Sequence, residues 1–304
     1  MGHHDHDHGE GNRRALTLVL ALTAGFTVVE IIGGLLTGSL ALLADAGHMV
    51  SDNLSLGIAL FAAWLAERPA TPNRSYGYRR AEILAALANG VTLVAVSIWI
   101  FIEAYSRLRE PTEVLGGPML LVAALGLLVN VAGAVILYRS GGKSLNVEGA
   151  MRHVFADALG SVGAIVAAAV IILTGWRYAD PLISVAIGLL ILGSSWKLLR
   201  DSTNILLEAT PPNLDATEVG RKMASAEGIT EVHDLHIWTI TSGFPALSAH
   251  VLVGRREDCH TRRRELEDLL AHEYGISHTT LQVDHIGDHH ASLQTLRFPS
   301  YPDE

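Results

Sequence analysis

Cysteine is all but missing: Cys259 stands alone in 304 residues, so no intrachain disulfide can form and no cysteine-rich zinc module is encoded. Charge is scarce as well. Asp, Glu, Lys and Arg make up 17% of the chain against 49% hydrophobic residues, below the quarter or so of charged residues usual in soluble domains, and mean hydropathy is positive at +0.32. There is no basic surplus. A formal net charge of -9 gives no sign of nucleic-acid binding. The H-E-x-x-H signature of a membrane metalloprotease does not occur, which argues against the enzyme reading that the composition would otherwise invite. The polar start is followed by a full-length apolar span with no small-residue cleavage site, so no cleavable signal peptide is expected. Histidine, by contrast, is plentiful at 15 residues. Any metal must therefore be held by His, Asp and Glu.

The apolar residues cluster in runs at about 15–36, 40–65, 81–105, 118–138, 147–173 and 181–199. Each is long enough to cross a hydrocarbon core of roughly 30 Å as a helix, so six transmembrane helices are expected. The first connection, Thr37-Gly38-Ser39, is so short that the first two helices must form an antiparallel pair. Arg13 and Arg14, Arg68, Arg74, Arg79 and Arg80, Arg139 and Lys143, and Lys197 and Arg200 flank one side, against Arg107, Arg109 and Arg177 on the other. The positive-inside rule then places both termini in the cytoplasm of a multi-pass cell-membrane protein surrounded by lipid bilayer.

Past Glu208 the pattern changes. Pro211 and Pro212 stop the sixth helix, and helical periodicity at 216–226 and 259–274 alternates with strand periodicity at 232–241, 247–253 and 280–284. Leu247, Ala249, Val251 and Val253 point to one face and Leu266, Leu269 and Leu270 share another. The order α-β-β-α-β predicts a small two-layer α+β domain, cytoplasmic and soluble, over 209–290. The tail, 291–304, shows little periodicity and is expected to be disordered.

Ionisable groups interrupt two of the apolar runs. His48 and Asp52 lie four residues apart in the second, and His153 and Asp157 repeat the spacing in the fifth, so each pair shares one helix face. Buried charge of this kind costs several kcal/mol and marks a transport path or a paired site. Two imidazoles and two carboxylates form a ligand set suited to tetrahedral Zn²⁺, and the two carboxylates cancel the charge of the ion. All four must be deprotonated to bind, so loading the metal releases protons. The expectation is an alternating-access site that exchanges Zn²⁺ for H⁺ as counter-ion. A structural interhelical contact is the bland alternative, and Cd²⁺, Co²⁺ or Fe²⁺ could occupy the same ligands. A membrane-anchored zinc sensor is a further reading, against which buried ionic pairs argue.

Asp45, one turn before His48, is read as a supporting or entrance charge, with a fifth-ligand role open. Glu30, Asn89 and Asn130 either line the same cavity or make interhelical hydrogen bonds, the second being favoured. Asp180, before Pro181, reads as the acidic cap of the sixth helix. The N-terminal arm, 1–14, carries His3, His4, His6 and His8 between aspartates and reads as a loose metal-collecting segment too polar to fold alone.

The run from Gly38 to Asp52, the His153/Asp157 pair, Tyr76-Gly77-Tyr78-Arg79-Arg80-Ala81-Glu82 and Glu231-Val232-His233-Asp234-Leu235-His236-Ile237-Trp238 together resemble the cation diffusion facilitator family, and within it the bacterial zinc type, over about 15–284. The resemblance implies six helices, a cytoplasmic domain of ferredoxin-like, metallochaperone-like fold, a homodimer and metal/proton antiport. It implies that His48, Asp52, His153 and Asp157 are the transport site, and that Arg80 and Glu208 form a charge interlock at the dimer centre. It also implies regulatory zinc at His233, His250 and Asp284, with Gln282 standing where other members have His. Arg74 and Tyr78 replace the histidines of members that bind metal in the second connection, so no site is expected there.

Overall fold

A computed structural model describes residues 5–66, 68–139, 145–286 and 297–299. The chain divides into two compact units, 1–58 with 88–198 and 59–87 with 199–304. Six long helices come first: α1 (Asp5–Thr37), α2 (Leu40–Ala66), α3 (Ala81–Arg109), α4 (Gly116–Arg139), α5 (Leu145–Thr174) and α6 (Ala179–Leu206). Among the described residues, five of them are long and apolar enough to cross a membrane, and α2, at 27 residues, is of matching length. Helix α1 continues back to Asp5, whereas an unfolded arm was expected through residue 14. Once an apolar helix is nucleated, each further turn costs little. His3 and His4 lie outside the described residues, and His6 and His8 fall in the part of α1 whose side chains are not described.

Small residues bring α1, α4 and α5 close. A Cβ on Gly33 would meet the Val122 side chain at 2.8 Å, and one on Gly126 would meet Phe26 at 2.9 Å and the Ser161 hydroxyl at 3.0 Å. This is the packing expected where dispersion rather than the hydrophobic effect joins helices.

The second unit contains the α+β domain: α7 (Ala216–Ala224), β1 (Ile229–Thr241), β2 (Phe244–Val253), α8 (Cys259–Tyr274), β3 (His278–His285) and β4 (Arg297–Pro299). Strands β1 and β2 form an antiparallel hairpin, closed by the turn at Ser242-Gly243, where Gly243 has φ +71°. After the α8 crossover, β3 pairs parallel to β2, giving the order β3-β2-β1-β4. Val219 and Met223 of α7, Leu266 and Leu270 of α8, and Val232, Leu247, Ala249, Val251 and Val253 of the strands are buried in one core, as the alternation predicts.

The tail departs from expectation, because Arg297–Pro299 adds an edge strand to β1, with Val232 opposite Phe298. Phe298 is buried against Gly220, where a Cβ would fall 2.2 Å from the ring. One aromatic side chain in a slot that only glycine leaves open is enough to dock a segment without periodicity. The rest of the tail and its expected disorder lie outside the described residues.

Two outcomes follow for this domain. Phe298→Ala should cost about 3 kcal/mol locally, near the low end for Phe truncation because so short a strand can resettle. Hydrogen exchange of Glu231 to His233 should accelerate while the β1–β2 ladder stays protected. Asp258 caps α8, its carboxylate accepting from the Thr261 hydroxyl at 2.8 Å and the His260 N–H at 3.0 Å. These bonds hold its carboxyl below the usual range. Its stabilising effect is therefore present above the unfolded value of about 3.9 and fades as pH falls through the lowered folded value. Asp258→Asn, which still caps but does not titrate, should remove that part of the acid dependence of α8 exchange.

Candidate metal site

Asp45, His48 and Asp52 follow one another at helical spacing down one side of α2, and His153 and Asp157 do the same on α5. The two faces meet. His48 Nε2 lies 3.5 Å from Asp52 Oδ2, His153 Nδ1 lies 3.4 Å from that same oxygen, and His153 Nε2 lies 3.3 Å from Asp157 Oδ2. The two imidazoles are edge to face with centroids 6.1 Å apart. In a tetrahedral zinc site with bonds of about 2.0–2.1 Å, neighbouring donor atoms are about 3.3–3.4 Å apart. The spacings are of this size, but His153 meets Asp52 through Nδ1 and Asp157 through Nε2, and one imidazole offers an ion a single nitrogen; one ligand atom from each of His48, His153 and Asp157 lies within 4.8 Å of the others. His48, His153 and Asp157 form the only group of three or more potential metal ligands among the described residues, and Asp52 stands between the two histidines.

Burial sharpens the chemistry. Asp157 is 1% exposed, and neither of its carboxylate oxygens nor His48 Nδ1 has a hydrogen-bond partner. An acceptor left bare in such surroundings is costly, and a divalent cation is the partner that would satisfy it. Asp52 and His153 also line a cavity of about 520 Å³, bounded by Leu16, Thr23, Ser55 and Ala150. Its lining comes from residues 16–23 of α1, 49–55 of α2 and 150–154 of α5.

The surrounding polar residues hold the helices. Ser51 Oγ donates to Asn89 Oδ1 at 2.8 Å, tying α2 to α3 beside Asp52, and Asn130 Nδ2 reaches Ser161 Oγ at 3.4 Å between α4 and α5. These are the interhelical bonds favoured for both asparagines. Asp45 is buried one turn above His48. Its carboxylate rests where a Cβ on Gly160 would be only 2.7 Å away.

In the α+β domain His233 and His250 are cross-strand partners with ring centroids 5.5 Å apart, and His233 Nδ1 is buried without a hydrogen bond. Asp284 does not stand opposite His250: Gln282 does, and Asp284 is level with Leu252. His250 Nε2 lies 3.8 Å from Asp234, and Glu231 lies 3.5 Å from His233. Strand alternation would send Asp234 to the opposite face from His233. A register shift between His233 and His236, with φ +53° at Asp234, turns it back, and no residue pattern announces such a bulge. Arg80 and Glu208 meet within one chain at 2.8 Å. They are too exposed for the pair to be worth more than about 1 kcal/mol.

With this geometry in view, comparison with known proteins is direct. The family model for the cation efflux transmembrane domain matches residues 16–207, and that for the cation efflux protein cytoplasmic domain matches residues 211–286. A cadmium, cobalt and zinc/H(+)-K(+) antiporter of Bacillus subtilis is 45% identical, over 92% of this chain and 91% of its own. The metal cation efflux system protein CzcD of Cupriavidus metallidurans is 43% identical over 92% and 89%. The zinc transporter ZitB of Escherichia coli is 42% identical over 93% and 92%. Matched along nearly its whole length, with both domains in the same order, this chain belongs to the cation efflux family of membrane transporters.

Proposed function

We propose that the protein exports divalent metal from the cytoplasm, Zn²⁺ foremost, in exchange for protons, and works as a homodimer. The observation that carries this reading is the meeting of two His/Asp pairs inside apolar helices, with ligand atoms of His48, His153 and Asp157 within 4.8 Å of one another and Asp52 beside both histidines. The relatives' names, which include zinc, cadmium, cobalt and protons, support the choice of cargo and counter-ion. Cadmium and cobalt remain within reach of the same ligands.

The steps follow from the ligands. An ion entering by the cavity beside Asp52 and His153 displaces protons, because imidazole and carboxylate bind metal only when deprotonated. Two carboxylates then neutralise its charge, which lowers the cost of holding it in a low-dielectric interior. When the site faces the other side, protons compete for the same atoms and release the metal. The protonated, uncharged carboxyls can return without carrying bare charge through the bilayer. The cavity lining on α1 and α5, residues 16–23 and 150–154, follows closely on Arg13, Arg14, Arg139 and Lys143, which the positive-inside rule assigns to the cytoplasm, so we read this conformation as inward-facing, with both termini cytoplasmic. The dimer is supported by the matched cytoplasmic domain, and Arg80 and Glu208 are our candidates for its central charge pair. For the α+β domain we propose a regulatory zinc held by His233, His250 and Asp284, with Asp234, 3.8 Å from His250, as a further acid at the site. His3, His4, His6 and His8 are proposed to gather metal near the entrance.

Asp157→Ala should lower zinc affinity by more than about a hundredfold, beyond the usual loss for an outer-shell partner, and should abolish uptake into proteoliposomes. Normal zinc movement by that variant would refute the site. In the wild-type protein, uptake should follow an imposed pH gradient and stop when an ionophore collapses it. Undiminished uptake without a gradient would exclude proton exchange.

A further inference from the structure

The most completely satisfied buried charge in the helical unit is far from the metal ligands. Asp180, in the first turn of α6, is 0% exposed, and its carboxylate serves a different helix. Its Oδ2 accepts from the Leu40 N–H at 2.8 Å, and its Oδ1 accepts from the Ser39 hydroxyl at 2.6 Å and the Ala41 N–H at 3.2 Å. Ser39 Oγ in turn accepts from the Leu42 N–H at 3.2 Å. The first three N–H groups of α2, which have no partner within the helix, are thus all accounted for. Two of them go to α6. The Arg107 guanidinium of α3 stands 3.6 Å from Asp180 Oδ2, donates to the Gly38 carbonyl and pairs with Glu103 at 2.9 Å.

The turn entering α2 has no slack. Gly38 has φ +70°, and a Cβ there would fall 2.9 Å from the Glu113 carbonyl. The Thr37 carbonyl accepts from the Leu115 N–H at 2.9 Å, and Ser39, Leu40, Ala41 and Leu42 are fully buried. Asp180 itself has little capacity left for an ion. A carboxylate offers about four lone-pair positions; three are taken by donors and a guanidinium lies beside the remainder.

From Leu40 to His48 is eight residues, about 12 Å of helix axis, with no proline between. We propose that Asp180 is a positioning residue for the metal site: by gripping the N-terminus of α2 from α6, it sets the height and rotation at which His48 and Asp52 face His153 and Asp157. Anion-to-amide bonds are the strong class of hydrogen bond, and at a helix N-terminus they also oppose the macrodipole. Sliding α2 by a fraction of a turn breaks all of them together. The acid before Pro181 therefore belongs functionally to α2, not to the helix on which it is written.

Zinc uptake by the full chain in proteoliposomes tests this, comparing wild type with Asp180→Ala, Asp180→Ala/Ser39→Asp and Asp157→Ala. The double variant returns an anionic cap to α2 from its own N-terminus but leaves out the tie to α6. Both Asp180 variants should show KM for zinc raised at least about tenfold, since misplacement near 1 Å can cost a hundredfold, while helical content and dimerisation are kept. A wild-type KM in Asp180→Ala overturns the inference. So does its recovery in the double variant, because Asp180 would then do no more than satisfy orphan N–H groups. If neither variant reaches the membrane, Asp180→Asn, which retains one acceptor oxygen, is judged by the same criterion: a raised KM supports the inference and a wild-type KM overturns it. The inference rests on the assignment of the four metal ligands, and Asp157→Ala separates the two ideas. Normal uptake by that variant sinks the ligand assignment, whereas its loss alongside unchanged KM in the Asp180 variants sinks this inference alone.

Discussion

An ionised carboxylate inside an apolar helix bundle must find a cation, a set of hydrogen-bond donors or a proton. Around that requirement the transmembrane part of this protein is arranged. Asp157 lacks donors and lies among imidazoles, an arrangement that a divalent ion completes. Asp180 has donors on nearly every lone pair and has little room for another partner. The same functional group in the same kind of environment thus takes opposite roles, decided by what the neighbouring helices present to it.

The division extends to the helices themselves. Glycine lets α1, α4 and α5 approach closely, and hydrogen bonds from Ser51 and Asn130 join α2 to α3 and α4 to α5. The proposed metal ligands come from two different helices, so relative motion of α2 and α5 changes the donor spacing directly. Binding and conformational change are then coupled by geometry, since an ion prefers whichever arrangement brings four donors to tetrahedral distance. In the α+β domain the core is conventional, with apolar strand faces under two helices. Its histidine pair, His233 buried and His250 half-buried, lies outside that apolar cluster and adds chemistry without disturbing it.

Much of this was legible from residues alone. The six helices appear where apolar runs were read, because length and hydropathy are local properties. The His-x-x-x-Asp spacing singled out the proposed ligands because helical periodicity places such residues on one face. The α-β-β-α-β order followed from alternation and periodicity in the same way. Less legible were features that depend on distant partners. A bulge swings Asp234 toward His250, and register leaves Asp284 beside Leu252. Phe298 docks the tail through a slot at Gly220. Asp180, which reads as a routine cap for its own helix, is spent on another.

What the residue order determined unaided was the inventory: membrane helices, a small α+β domain, and two imidazole–carboxylate pairs set in apolar helices. Tertiary structure alone decided which carboxylates remain open for an ion and which are consumed in holding helices together. The reason is that hydrogen-bond donors for a buried acid come from across the fold. Residues such as Ser39 and Asp180, 141 positions apart, become neighbours only when the helices pack.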